Sequence, residues 1–340
     1  MNESSRAFRP YDLLLPPVIP AVVGREVNVY FDNLIAGEAS RYDFELITSI
    51  GRHRNDRWSC VPDKSGDYPL TVEVYSEEGV RLASASTLVR VKEAESPPGP
   101  NRRVLFIGDS TTAAGGYTEE LLRLFALDRA GLSLLGTRGT GLNRHEGRGG
   151  WKVADYCGHA ESPFLFDGKF DFARYMETNA YAGVDDVCIH LGINDVFHAS
   201  EEDGMSGLLG QAMPMLEEMI RDVQRYQPEA RIGLMMAIPP SRMQDSFGKS
   251  YGTLQSRRRY KRKWFLWNRE LLRLFASREQ SGIELIALHT GIDTAHNMPM
   301  ELLAANARSG QTELRQSNGV HPAPEGYHQM ADVMYAWLKP

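Results

Sequence analysis

The sequence predicts a three-layer α/β/α domain on a parallel sheet, preceded by a small all-β sandwich. Three observations carry this. From Arg103 onward, short apolar runs alternate with stretches of helical periodicity, the pattern of parallel strands joined by crossover helices. From Arg25 to about Glu93 the runs are short and turn-punctuated, with little helical periodicity. Between them, Glu95-Ser96-Pro97-Pro98-Gly99-Pro100-Asn101 interrupts both patterns, as a domain linker does. The expected division is sandwich 1–95, linker 96–102 and second domain 103–340.

At 340 residues the chain is long enough for two domains and a large core. Its net charge of −6 argues against general nucleic-acid binding. It has no apolar run of roughly 18 residues, so no membrane span is expected. Met1 to Arg6 lacks the layout of a signal peptide, and the apolar stretch Leu13 to Val23 is broken by Pro16, Pro17 and Pro20. The expected location is the cytoplasm, unless a secretion signal has been removed. Three cysteines, Cys60, Cys157 and Cys188, imply no disulfide framework.

In the first hundred residues, Val27–Phe31, Phe44–Ile50, Trp58–Val61, Tyr68–Tyr75 and Leu82–Val91 read as strands. Thr71-Val72-Glu73-Val74-Tyr75 alternates as a half-buried strand should. Tyr30, Phe31, Trp58 and Tyr75 offer stacking platforms for a carbohydrate, but aromatics fill cores more often than they stand exposed, and core packing is the expectation.

The second domain opens on Val104-Leu105-Phe106-Ile107, which runs into Gly108-Asp109-Ser110. A continuous apolar run reads as a buried parallel strand. Gly108 lets the chain turn off its end and leaves Ser110 at the carboxyl edge of the sheet, near a helix start. Open α/β folds place ligands at that edge. A serine there is a candidate nucleophile that needs a base and an oxyanion site.

A helix over Tyr117–Leu127 and a strand over Leu132–Gly136 follow. Thr137–Arg148 reads as a glycine-rich loop closing on His145-Glu146-Gly147-Arg148-Gly149-Gly150-Trp151, without phosphate-loop or dinucleotide spacing. After a helix over Phe170–Ala182, the strand Val184–Leu191 delivers Gly192-Ile193-Asn194-Asp195 to the same sheet edge. Leu208–Tyr226 is an amphipathic helix and Ile232–Ile238 a strand. Ser241–Thr253 reads as a polar loop. The basic run Ser256–Trp264 opens another helix and reads as its solvated face, with polyanion binding the lesser alternative. Ile283–Leu288 is the last strand; a long loop, His289–Gly319, leads to Val320-His321-Pro322 and a closing helix, Pro324–Leu338. His145 and His198 are candidate pocket residues. No histidine pair has metal-site spacing, so the expected mechanism uses no metal and no cofactor.

The ordered set Gly108-Asp109-Ser110, Gly149-Gly150, Gly192-Ile193-Asn194-Asp195 and His321-Pro322 resembles the SGNH (GDSL-type) hydrolase family, over roughly Arg103 to Pro340. The resemblance implies a flavodoxin-like sheet. It implies Ser110 as nucleophile and His321 as base. It also implies an oxyanion hole from the Ser110 N–H, the Gly150 N–H and the Asn194 side chain. Gly149 can replace Gly150, since adjacent glycines are not separable by sequence. Asp109 and Asp195 match motif residues that are usually structural. The stretch His145 to Trp151 is similar to carbohydrate acetylesterases within the family.

One position departs. The family usually carries Asp three residues before the histidine, and here Asn318 stands there. Asp fixes the imidazole tautomer and stabilises the imidazolium; Asn accepts a hydrogen bond without charge. In serine proteases the equivalent Asp-to-Asn change costs about 10⁴ in kcat. Three readings stay open: a Ser–His dyad with Asn318 or a backbone carbonyl orienting His321, another acid among Asp293, Glu313 and Glu325, or weakened activity. The dyad is favoured because nucleophile, oxyanion and base positions are all kept. The expectation is a serine hydrolase acting on short acyl esters, acetyl first, of small molecules or carbohydrates. An acyltransferase or thioesterase using the same site, and a non-catalytic carbohydrate-binding protein, are the alternatives. Oligomeric state is left open.

Overall fold

The structure, a computed structural model, describes residues 9–95, 101–200 and 203–340. The expected linker, 96–102, falls mostly outside them. Seven strands form the first unit: β1 (Val18–Val22), β2 (Val27–Tyr30), β3 (Asp43–Ile47), β4 (Arg52–His53), β5 (Arg57–Cys60), β6 (Gly66–Tyr75) and β7 (Arg81–Lys92). They pair as a four-stranded sheet, β1-β7-β6-β3, and a three-stranded sheet, β2-β5-β4. Val29, Phe31, Trp58, Leu70, Val72 and Val89 fill the space between the sheets. Core packing therefore holds for Phe31 and Trp58; Phe31 stacks on Phe44 with ring centroids 4.6 Å apart. Strand β1 was not legible. Its prolines read as breakers, but among the described residues β1 is an edge strand paired only with β7, where Pro20 leaves no ladder bond unmade.

The second unit contains β8 (Arg102–Gly108), α1 (Ser110–Ala113), α2 (Gly116–Leu127), β9 (Leu132–Leu135), β10 (Arg138–Thr140), β11 (Asn143–Gly147), α3 (Val153–Gly158), β12 (Leu165–Phe166), β13 (Lys169–Phe170), α4 (Phe172–Thr178), β14 (Asp186–His190), α5 (Ile193–Phe197) and α6 (Asp203–Tyr226). It continues with β15 (Arg231–Met235), α7 (Gln244–Tyr251), α8 (Arg257–Phe275), β16 (Ile283–Ile286), β17 (Met300–Ala304), β18 (Thr312–Gln316) and α9 (Pro324–Leu338). Strands β14, β15 and β16 run parallel from one edge of β8, and β9 and β11 share its other edge. This is the 2-1-3-4-5 order of flavodoxin-like sheets. Helix α2 packs with α9, while α6 packs with α3, α4 and α8, completing the three layers. Val104 to Ile107 are fully buried, which is why β8 reads as an unbroken apolar run.

Three expected loops hold regular structure. Thr137–Arg148 is the β10–β11 hairpin, Ser241–Thr253 contains α7, and His289–Gly319 contains the β17–β18 hairpin. Each element is short, and β17, Met300-Glu301-Leu302-Leu303-Ala304, is mostly apolar without alternation, so no period stands out against the turn residues. The basic run is also corrected. Arg257, Lys261 and Lys263 are buried. Asp32 of the sandwich takes Arg257 Nη2 at 2.8 Å and Lys261 Nζ at 2.9 Å, and Lys261 also donates to the Gly37 carbonyl at 2.6 Å. Lys263 instead donates to the carbonyls of Phe197 and Ala199, at the end of α5. Asn33 adds two bonds across the junction, to the carbonyls of His289 and Ile292 at 2.9 and 2.7 Å. Among the described residues, no helix is long and apolar enough to cross a membrane.

Candidate active site

Strand order reverses between β8 and β14, and both deliver polar residues at that point. Gly108 ends β8. A Cβ there would lie 2.0 Å from Thr112 Oγ1, so the turn into α1 admits only glycine without rearrangement. Asp109 caps α1, accepting the Thr111 N–H at 2.9 Å and the Thr111 hydroxyl at 2.7 Å. That hydroxyl also lies 2.9 Å from Nδ1 of the buried His190. Since its one proton goes to Asp109, the network assigns the Nδ1 proton to His190. Asp109 is fully buried and stands beneath the site rather than in its pocket.

Ser110, the first residue of α1, is partly exposed. Its Oγ lies 2.7 Å from Nε2 of His321, which arrives from the loop before α9. Burial pushes the His321 pKa down, and the charge of Asp109 partly opposes that shift.

Asn318 does not reach the His321 ring with its acceptor. Its Oδ1 takes the backbone N–H of Val320 at 3.0 Å and of His321 at 2.9 Å. It therefore fixes the main chain of His321, as Asx turns do, and its expected role at the imidazole is corrected. The substitute acids are committed elsewhere. Asp293 accepts from its own loop and from His296, Glu313 pairs with Arg315, and Glu325 is exposed in the first turn of α9. Among the described residues, no carboxylate is hydrogen-bonded to the His321 ring.

Opposite lies the segment after β11. Arg148 N–H and the Tyr156 hydroxyl both donate to the Gly108 carbonyl, at 2.9 and 2.8 Å, which ties this segment to the nucleophile turn. Gly149 and Gly150 are exposed, and Gly150 takes a φ of +80°, which favours glycine. The Trp151 carbonyl accepts Asn194 Nδ2 at 3.1 Å. That bond fixes the Asn194 amide and, among the described residues, leaves its second N–H proton uncommitted. Behind it, the buried Glu146 carboxylate holds Arg148 at 3.0 Å and accepts the Tyr175 hydroxyl at 2.9 Å. Arg148 in turn lies over the Trp151 ring, 4.9 Å from its centroid.

Asp195 accepts the Val153 N–H at 3.2 Å, and burial pushes its pKa up to about 7. Two expected pocket residues are corrected. His145 is buried, with Nδ1 accepting the Gly147 N–H, so it braces the hairpin instead of facing a ligand. His198 is exposed past the end of α5, on a cleft shared with Tyr251 and Leu254, and none of its contacts is with Ser110 or His321. Sequence reasoning missed Tyr156, the Glu146–Arg148 pair and Gln316. Gln316 is fully buried, accepts the Met243 N–H at 2.7 Å and donates to the carbonyls of Thr294 and Ala295 at 2.7 and 3.1 Å. It staples two loops to the end of β18, just before His321, and nothing in its local sequence marks it. Among the described residues, no group of three or more His, Cys, Asp or Glu side chains could hold a metal ion.

A serine at the strand-order switch point, facing a half-buried histidine and a fixed amide, defines the class of α/β serine hydrolases. The chain belongs to the GDSL-like lipase/acylhydrolase family, whose pattern it matches over residues 104–334, and it is an ester hydrolase. No curated protein is matched. Solved structures similar to it include a family 3 carbohydrate esterase from Clostridium thermocellum, at 17% identity and TM-score 0.43, covering 69% of this chain and 94% of that one. A family 3 carbohydrate esterase from Talaromyces cellulolyticus is 16% identical, TM-score 0.39, covering 70% and 96%. A lipase from a goat rumen metagenome is 14% identical, TM-score 0.40, covering 69% and 96%.

Proposed function

We propose that this hydrolase cleaves short acyl esters, acetyl first, carried by carbohydrate, through an acyl-enzyme on Ser110. The observation that carries the reading is the 2.7 Å contact of Ser110 Oγ with His321 Nε2. Burial favours neutral imidazole, so Nε2 accepts the hydroxyl proton as Oγ attacks the ester carbonyl. The free Asn194 N–H, with the N–H groups of Ser110 and Gly150, receives the developing oxyanion. His321 then protonates the leaving alcohol. Water repeats the sequence on the acyl-enzyme and releases the acid. The site works as a Ser–His dyad, with Asn318 anchoring the histidine through its main chain. The carbohydrate assignment rests on the His145–Trp151 stretch.

The test is hydrolysis of p-nitrophenyl acetate, butyrate and octanoate and of O-acetylated xylo-oligosaccharides by wild type and Ser110→Ala, with fluorophosphonate labelling alongside. Turnover of acetyl esters and labelling, both lost in Ser110→Ala, is the expected result. Turnover that survives Ser110→Ala overturns the nucleophile assignment, and preference for octanoate overturns the short-acyl assignment.

A further inference from the structure

A cavity of about 480 Å³ lies at the junction of the two units, within the size range of small-molecule sites. The sandwich contributes Tyr30, Asn33, Tyr42 and Arg54 to its wall; the second unit contributes Arg242 and Asp293. These last two follow β15 and β16 at the sheet edge that also carries Ser110. The wall is tied to the catalytic loop. Gln316 bonds the loops of Met243 and of Thr294–Ala295, and the Ser241 N–H donates to the Gly319 carbonyl at 3.0 Å, two residues before His321.

The chemistry of the wall is specific. Asn33 is buried; its Nδ2 is spent on the His289 and Ile292 carbonyls, and its Oδ1 has no hydrogen-bond partner among the described residues. That oxygen has almost no exposed surface, so Asn33 shapes the wall and braces the junction, and contact with a ligand falls to the exposed groups around it. The guanidinium groups of Arg54 and Arg242 are exposed and take part in no hydrogen bond or ion pair among the described residues. Asp43 and Asp293, which pair with no Lys or Arg among the described residues, also line the space and oppose a phosphate or other polyanion, while the two arginines oppose a polycation. Mixed charges, amides and phenol rings suit a neutral polyhydroxyl ligand with apolar ring faces.

We propose that this junction cavity is a subsite for neutral saccharide units of the ester substrate. The proposal rests on the carbohydrate-ester reading above, and it gives the sandwich a direct part in substrate selection. Its test needs no ester. Binding of xylotriose, cellotriose, mannotriose and chitotriose to the full-length Ser110→Ala protein is measured by calorimetry, and repeated with Arg54→Ala and Arg242→Ala added. Trigalacturonate serves as the acidic comparison, and thermal melting confirms folding. The expected result is millimolar or tighter binding of at least one neutral trisaccharide, weakened tenfold or more by the added pair. Binding of none, binding of trigalacturonate alone, or binding undiminished in the variant overturns the proposal. Because these ligands carry no acyl group, a null result here leaves ester hydrolysis standing, and absence of hydrolysis leaves this binding measurement intact.

Discussion

Replacing Asn318 separates two ways of holding a catalytic histidine. Its Oδ1 accepts two backbone N–H groups, of Val320 and His321, at 3.0 and 2.9 Å. Neutral hydrogen bonds of this kind contribute about 0.5–1.5 kcal/mol each. Asn318→Ala removes both, a loss of about 1–3 kcal/mol. Expressed as disorder of the loop that presents His321, this lowers kcat on p-nitrophenyl acetate by about 5- to 150-fold, at 1.36 kcal/mol per factor of ten. Asn318→Asp keeps an oxygen in the same place and both bonds with it, so its rate stays within about fivefold of wild type. The assay is steady-state kinetics, with active sites counted by fluorophosphonate titration and folding checked by thermal melting. If a carboxylate at this position could instead turn to the imidazole and serve as its charged partner, the Asp variant would gain a large part of the roughly 10⁴-fold that such a partner supplies in serine proteases. A rise of tenfold or more in Asn318→Asp therefore refutes main-chain anchoring as sufficient.

Asn194→Ala removes one oxyanion donor and is expected to lower kcat by about 10²–10³ with little change in melting temperature; a loss under tenfold, read from kcat at saturating ester, removes Asn194 from the hole. The pH profile of kcat/KM reports His321 in the free enzyme. Burial lowers its pKa, so activity rises through a midpoint below the ordinary imidazole value and is flat above neutrality; a midpoint above 7 contradicts the burial argument. Asp32→Ala takes the carboxylate from the buried Lys261 and leaves Arg257 with that of Glu38 alone, and breaking a buried pair costs about 3–5 kcal/mol. Chemical denaturation should show that loss in the unfolding midpoint, and a change under about 1 kcal/mol shows that the cations find other partners.

The parts of this fold that were legible are those where one local signal decides. The apolar run of β8 can only be a strand buried on both faces, and Gly108-Asp109-Ser110 at its end needs no distant partner to place the serine at the sheet edge. Asn194 was found the same way, from the end of β14. What stayed hidden is set by pairing across long separations. His145 sits next to the oxyanion segment in sequence but points under the hairpin, a matter of side-chain direction that spacing does not carry. Gln316 matters only because two loops converge on one buried amide at the end of β18. Asn318 looked like a weakened acid because the motif compares residue types at one position; its hydrogen bonds give it a different task.

The basic run at the start of α8 extends this point to the relation between the two units. Arg257 and Lys261 are four residues apart and so share a helix face, and that face meets Asp32 more than two hundred residues away. From Asp32 the connection continues inward: Arg257 Nε donates to the Ser241 carbonyl at 3.0 Å, and the Ser241 N–H donates to the Gly319 carbonyl at 3.0 Å, two residues before His321. Apolar packing crosses the same junction, since Leu14 and Val22 join the core of the second unit and Ala287 joins that of the sandwich. A sandwich acting as an independent module would need neither the buried ions nor the shared core, because tethered domains meet through smaller, more polar surfaces. Expressing residues 101–340 alone should therefore yield a protein that melts earlier than the full chain and has lost activity on p-nitrophenyl acetate, a substrate too small to use the junction cavity. Full activity of the isolated segment at unchanged melting temperature would show that the Asp32 connection does not reach His321.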